Sequence, residues 1–530
     1  MKKLTKLIKC QQAQILAHQE QLQEDMIELS KAQLKKLADK LSTQPHSFNI
    51  SKVLIDLGFR SYKGECLYIQ DNIAWSCSPL FFPQFFHNVF SAADSGKPHS
   101  FFSSPASRKK QDYLEQLPLP ESKFLRDDAK TKWLFFADTA IKITGARLEP
   151  IAYQALPGLV RAEKINPHNL DFASEKAQPS YWESSKVWQF FQNTCTNPNN
   201  NQLDQDLLEH NMMGLAKLAH SFNNVADPCA VILSEKTNSG ETNAGGTGKG
   251  IYLQCLANLG LSCCRKDGKL LNLNYEHSLG NLKPETDLLI FDDPNSTKRL
   301  LQQSFSMLTE GTESNPKGRE QVFISAENMP RIVITTNDLA LGSDDSHLRR
   351  RFDIVLHRFY NNNHRPIDDV GRLFDKDFAA EEWNKYFFVM MHQIHAYLSK
   401  VYSQNVMPRG AMAKLLYQEV VTHDIGEKYL DYFNQKYLPL LDAGQDFVIN
   451  LTDDVKDFAT TVHNTTSQEY NKRLFKYLKQ LHKRGFVHVP SKQINGQTKN
   501  VYEVSAVQSA SPLLQASGRS KANRSTKKII

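Results

Sequence analysis

The run Asn243-Ala244-Gly245-Gly246-Thr247-Gly248-Lys249-Gly250 has the composition of a loop that wraps an anion. Glycines let backbone N–H groups turn toward phosphate oxygens, and a lysine at a helix start adds a mobile charge at the positive dipole end. The apolar segment Ala230 to Leu233 precedes this loop, and a helical pattern, Ile251 to Leu259, follows it. Strand, glycine loop, lysine and helix, in that order, build a P-loop, in which Lys249 reaches the β- and γ-oxygens of a nucleotide. The usual pattern is G-x-x-x-x-G-K-[ST]. Here Asn243 holds the first glycine position, and Gly250 replaces the hydroxyl that normally binds Mg²⁺.

Further along lie groups that suit the same chemistry. Asp287-Leu-Leu-Ile-Phe-Asp-Asp-Pro-Asn295 is an apolar strand delivering two carboxylates at its C-terminal edge. Asp292 would orient Mg²⁺ or its waters, and Asp293 would polarise an attacking water; the bland alternative is an acid that caps the next helix. Arg331-Ile-Val-Ile-Thr-Thr-Asn337 ends in an amide able to hold a water by donating and accepting at once, or in a simple turn-forming Asn. Ser346-His-Leu-Arg-Arg-Arg-Phe352 then leads into the apolar strand Ile354 to Leu356. Its Arg350, or Arg349, suits an arginine finger from a neighbouring subunit, worth about 10³–10⁵ in rate; an Arg run is otherwise a basic surface or a nucleic-acid contact. These four elements in one order, separated by short strand–helix units, read jointly as a P-loop ATPase using ATP and Mg²⁺.

The residues Gly245 to Gly250, Ile290-Phe291-Asp292-Asp293, Ile334 to Asn337 and Ser346…Arg349-Arg350…Phe352 resemble the core of a superfamily 3 helicase, an AAA+-like ring ATPase. The resemblance is to replication proteins of phages, plasmids and other mobile elements of the primase-helicase type. It extends over roughly residues 50 to 400, including Trp133 to Leu148, similar to a short hairpin upstream of the ATPase, and His357 to Tyr386. It implies a DNA helicase that assembles as a homo-oligomer, a hexamer, with ATP between subunits and a single DNA strand in the channel. Glycine after the lysine is common in this branch, which leaves the metal to Asp292 and waters. Pro316 and Gly318 around Lys317 signal a turn, and Gln321 to Ser325 alternates as a strand. This hairpin resembles the family's DNA-tracking loop, with Lys317 as the phosphate contact and Arg319 as its helper. No paired acidic motif supports a polymerase-type primase. Two alternatives stand beside the helicase: a DNA-stimulated ATPase in defence or segregation that does not unwind, and a DNA-binding replication initiator with a degenerate P-loop.

The composition of the 530-residue chain is compatible with this reading without demanding it. A formal net charge of +7 suits nucleic acid but is not specific to it. The eight cysteines form no CxxC pair, which argues against a zinc ribbon or disulfide framework and fits a reducing, cytoplasmic setting. No apolar stretch approaches the ~18 residues of a membrane span, and Met1-Lys2-Lys3-Leu4 is followed by no signal-type apolar region. His392 and His395 lack acidic or Cys partners at ligand spacing.

The expected fold is an α/β P-loop ATPase core, AAA+-like, with an N-terminal α+β domain, a helical collar and a C-terminal winged helix. Residues 1–44 form an amphipathic helix with Ile8, Ile15, Leu22 and Leu29 at heptad spacing, and 45–185 the α+β domain. Residues 186–228 are the collar implied by the resemblance, 229–375 the core, and 376–445 a helical region. Residues 446–506 read as helix, helix and two strands with an Asn495-Gly496 turn, the outline of a winged helix, or of a protein-interaction wing with a solvated helix face. Lys472, Arg473, Lys476, Lys479, Lys483 and Arg484 make its helix basic, and 507–530 is a basic, disordered tail.

Overall fold

A computed structural model describes residues 47–56, 58–63, 65–77, 116–226, 228–236, 246–273, 275–317, 321–337, 351–404, 425–442, 447–461, 465–483, 486–490, 493–494, 497–498 and 501–506. The chain divides into two units, Met1–Ala413 and Lys414–Ile530. The expected helix over 1–44, the basic tail, the Asn495-Gly496 turn and Arg484 lie outside the described residues.

The first unit opens with helix α1 (Ser47–Asp56) and strands β1 (Phe59–Tyr62), β2 (Glu65–Gln70) and β3 (Ile73–Cys77). Strands β4 (Thr131–Phe135), β5 (Ala140–Thr144) and β6 (Leu148–Ile151) form an antiparallel meander, and β7 (Val160–Arg161) adds in parallel to β3. Trp133, Phe135, Ala140, Tyr153 and Val160 fill the core of this region.

Helix α2 (Lys186–Thr194), the short pair β8 (Thr196–Asn197) and β9 (Gln202–Leu203), and helix α3 (Gln205–Ala219) lead into the central sheet. Its strands are β10 (Ala230–Glu235), β11 (Cys263–Asp267) and β12 (Leu288–Asp292). Helix α4 (Lys249–Asn258) joins the first two, and helix α5 (Thr297–Glu310) follows β12. A hairpin of β13 (Thr312–Ser314) and β14 (Val322–Ile324) precedes β15 (Arg331–Thr335) and β16 (Arg351–Leu356). The order β11-β12-β15-β10-β16 is parallel throughout. Such a sheet is buried on both faces, which is why Ala230–Glu235 and Arg331–Thr335 are buried at every position. One face, with Ile232, Phe291, Ile332 and Ile334, packs on Leu300, Leu301 and Leu308 of α5. The other meets α3, where a Cβ on Gly214 would stand 2.5 Å from Phe352 Cε1.

Strand β11 escapes the sequence reading because Cys263-Cys264-Arg265-Lys266-Asp267 is short and mostly polar, an edge composition. The opposite edge is closed by a side chain. Fully buried Asn211 of α3 donates to Val355 O at 2.7 Å and accepts from Val355 N at 3.0 Å. Its amide thereby replaces a missing strand neighbour.

Helix α6 (Ala380–Gln404) packs on α3 in the first unit. The second unit holds helix α7 (Glu427–Asp442), β17 (Phe447–Asn450), helices α8 (Leu451–Thr461) and α9 (Ser467–Lys483), β18 (Phe486–Pro490), the pair β19 (Gln493–Ile494) and β20 (Gln497–Thr498), and β21 (Val501–Ala506). The segment 376–445, read from sequence as one helical region, is therefore split between units. Phe433 and Tyr437 of α7 belong to a core with Phe458, Tyr470, Leu474 and Tyr477. Strand β17, also unforeseen, pairs with β21, and β18 takes the other side, in an antiparallel sheet.

The N-terminal strands are tied to the central sheet by a buried polar cluster. Asp127 accepts from Lys132 Nζ at 2.9 Å and from Ser221 N and Oγ, while His220 Nε2 donates to Asp128 O at 2.7 Å. Arg331 Nε, at the start of β15, donates to His220 O. Burial alone would raise the Asp127 pKa, but Lys132, His220 and the donated hydrogen bonds hold it at about 2. Burial lowers His220 from 6.5 to about 4, so it is neutral in the fold. Below pH 6.5 the unfolded chain binds a proton that the folded chain refuses until about pH 4. The stability from His220 is therefore complete above that window and lost as pH falls through it. Asp127 contributes in full above the ordinary carboxylate range, and its share is lost as pH falls from there to about 2. Denaturant midpoints of the wild type are expected to fall between pH 6.5 and 4, with a shallower slope in His220→Gln. An unchanged slope would remove His220 from the acid response.

Candidate functional site

The parallel sheet sends the C-terminal ends of β10, β15 and β12 to one edge, side by side. After β10 the chain re-enters the described residues at Gly246 (φ 83°) and reaches Gly248 (φ 98°), the N-cap of α4. Both lie in the left-handed region that costs glycine nothing. A Cβ on Gly248 would also stand 2.7 Å from Phe190 Cε2, so the turn rests directly on a ring. That ring belongs to a buried cushion of Phe190, Phe191, Tyr252 and Tyr360, anchored by Thr194 to Tyr252 and by Asn193 to Tyr360. Gly248 has no side chain to cap α4; Ile251 N–H turns back to Gly248 O at 2.8 Å, and the positive end of the helix ahead of it suits an anion. The loop formed by Asn243, Ala244 and Gly245 lies outside the described residues.

Lys249 is the first residue of α4, and its ammonium sits between two strand ends. Nζ donates to Asn337 Oδ1 at 2.8 Å, just past β15, and to Glu235 Oε2 at 2.8 Å, the last residue of β10. Glu235 is fully buried and also accepts from Thr247 Oγ1 at 2.8 Å. The structure thus brings Lys249 and Asn337 together, 88 residues apart in the chain.

Asp292, at the end of β12, lies next in the row. Thr335 Oγ1 donates to it at 2.6 Å, and Arg265 of β11 pairs with its other oxygen. Burial would raise its pKa, but Thr335, Arg265 and the charge of Lys249 bring it below the ordinary value, so it is ionised at neutral pH. The two acids diverge. Asp293 turns through φ 49°, its N–H donates to Thr335 O at 3.0 Å, and its carboxylate pairs with Lys269 at 2.6 Å.

Lys317 is exposed in the connection between β13 and β14, at the expected hairpin, while Arg319 lies outside the described residues. Arg349 and Arg350 also lie outside them. The next residue, Arg351, begins β16 and pairs with Asp353 at 2.9 Å. Among the described residues, no cluster of three or more His, Cys, Asp or Glu suits a metal.

Sequence reasoning missed Glu235, Arg265, Lys269 and the aromatic cushion. A single acid after an apolar strand carries no signal of its partner, and the cushion residues read as ordinary core. The one available hint was that Glu235 extends the run that begins with the apolar Ala230 to Leu233.

No protein-family model and no curated protein matches the chain. Among solved structures it is similar to the A-form apo structure of the NrS-1 C-terminal region, at 12% identity and a TM-score of 0.37, over 87% of this chain and 99% of that one. It is also similar to a full-length MCM homologue from Methanopyrus kandleri, at 9% identity and a TM-score of 0.22, over 64% of this chain and 67% of that one. At TM-scores this low the likenesses decide nothing about the site. No described helix is long and apolar enough to cross a membrane.

The glycines differ in what they tolerate. A Cβ on Gly250 meets nothing within 4 Å, in contrast to Gly248. Gly248→Ala is expected to lose roughly 1–3 kcal/mol of stability through strain and overlap with Phe190. Gly250→Ser should be neutral or gain about 0.5 kcal/mol from helix propensity. Urea titrations of both variants check this ranking, and equal losses would refute it.

Proposed function

We propose that the chain is an ATP-driven DNA helicase of the superfamily 3 type, one that forms a hexameric ring and replicates a phage, plasmid or other mobile element. The observation that carries this reading is the position of Lys249: at an uncapped helix start, 2.8 Å from Asn337 and beside an ionised Asp292. An ammonium, a positive helix end, a polar amide and a carboxylate at one edge of a parallel sheet are what binding and hydrolysing a nucleoside triphosphate requires.

In this reading the loop from Asn243 to Gly250 wraps the phosphates and Lys249 neutralises the terminal oxygens. Asn337 holds the attacking water. Asp293 polarises it, which requires release from Lys269. Mg²⁺, held by Asp292 and waters, would supply charge neutralisation of the phosphates. Arg350, with Arg349 as the lesser candidate, comes from the neighbouring subunit and meets the charge that develops on the transferring group.

Two further features favour DNA as the partner. The β13–β14 hairpin carries exposed Lys317, in the family's position for tracking a strand, with Arg319 as helper. The second unit runs helix, strand, helix, helix and then strands around a small antiparallel sheet, which fits a winged helix. Its helix α9 has Lys472 on an exposed position beside exposed Phe475, suited to a nucleic-acid backbone.

Lys249→Ala and Arg350→Ala are each expected to abolish ATP hydrolysis. Mixing the two variants should restore part of it, because one subunit keeps its P-loop while its neighbour supplies the arginine. Steady-state phosphate release from the mixture measures this, and complete absence of rescue argues against a shared site. Unwinding of forked DNA separates the helicase from an ATPase that does not unwind. Gly250→Ser, which has room for its hydroxyl, should lower the Mg²⁺ concentration for half-maximal hydrolysis; an unchanged Mg²⁺ requirement would count against a cation beside that position.

A further inference from the structure

Glu235 ends β10 with its carboxylate fully buried. A carboxylate at that depth persists only when paired and hydrogen-bonded. Its Oε2 receives both Thr247 Oγ1 and Lys249 Nζ, each at 2.8 Å. Both donors belong to the phosphate-facing loop and helix start. Lys249 gives a second hydrogen bond to Asn337 Oδ1, so two of its three N–H groups are taken up within the protein. The lysine that must grip phosphate oxygens is therefore already neutralised by an acid of its own chain.

Resting on the nucleotide reading above, we propose that Glu235 is a positioning residue that acts as an internal counter-anion. It holds Lys249 and Thr247 against the end of β10 and competes with the terminal phosphoryl group of a nucleoside triphosphate for the ammonium. To bind, a triphosphate has to draw Lys249 away from Glu235. That leaves a carboxylate close to a polyanion in a poorly solvated edge, where like charges repel strongly. A diphosphate offers Lys249 only its β-oxygens and adds less charge beside the carboxylate, so it disturbs the Lys249–Glu235 pair less. Glu235 thus lowers triphosphate affinity and narrows the preference for triphosphate over diphosphate, without touching the reacting atoms.

The test is equilibrium binding of a slowly hydrolysed fluorescent ATP analogue and of a fluorescent ADP analogue to the full chain, as wild type and Glu235→Gln, with thermal melts beside them. The amide keeps a carbonyl acceptor of the same size but carries no charge. Glu235→Gln is expected to bind the triphosphate about tenfold more tightly and the diphosphate with a clearly smaller gain. A merely structural role would shift both nucleotides together. Folded Glu235→Gln with wild-type or weaker triphosphate affinity, or with both nucleotides tightened equally, overturns the inference. If that variant does not fold, Glu235→Asp decides: its shorter carboxylate withdraws from Lys249 but keeps its charge, so a smaller triphosphate-selective gain is expected, with unchanged selectivity as the overturning result. A wild type that binds nucleotide, beside variants that do not differ from it, removes only the role of Glu235. Failure of wild type and variants alike to bind either nucleotide removes the nucleotide reading and the inference with it.

Discussion

The insertion of β15 between β10 and β12 is the constraint on which the site depends. Parallel strands must be joined by crossovers, so all five send their C-terminal ends to the same edge. With β15 in the middle, Glu235, Thr335 and Asp292 end neighbouring strands. Thr335 reaches Asp292 directly, and Asn337 just beyond reaches Lys249. Had β10 and β12 been adjacent, the amide would have no place between the ammonium and the acid. The helices on the two faces and the Asn211 clasp on β16 serve this arrangement by burying the sheet and closing its outer edge.

Charge at this edge is compensated group by group. Lys249 lies against Glu235, Asp292 against Arg265, and Asp293 against Lys269. The compensation is graded by depth. Glu235 is wholly buried and its pair is tightly held, whereas Asp293 and Lys269 are largely exposed, so their pair is weak in the presence of solvent. The left-handed backbone at Asp293 separates it from Asp292 and turns the two carboxylates to different partners. A sheet edge built in this way can exchange its outer ion pair readily and its inner one only for a comparable anion.

Much of the central sheet was legible from the chain alone. The apolar runs of β10, β12 and β15 are long enough, and bounded sharply enough, to announce buried parallel strands. Glycines around Lys249 announced a loop leading into a helix, and Pro316 to Gly318 announced the hairpin that β13 and β14 form. Strands β11 and β17 were not legible, since edge and short strands are held by neighbours remote in sequence and carry little apolar pattern of their own. The division of 376–445 between two units was hidden for a related reason. Helical periodicity gives the face that a helix buries, but not the surface against which it is buried.

For the candidate site, residue types and order determined the chemistry available: an ammonium at a helix start, two acids after a strand, an amide after another. Those follow from local rules of turns, helix ends and strand termini, which act over a few residues and are written in the sequence. Only the tertiary structure decided which of these groups meet. It joined Lys249 to Asn337 and turned Asp293 toward Lys269. It also set Glu235, which no motif marks, against the lysine. Strand order and burial bring these groups together, and both are properties of the packed chain as a whole.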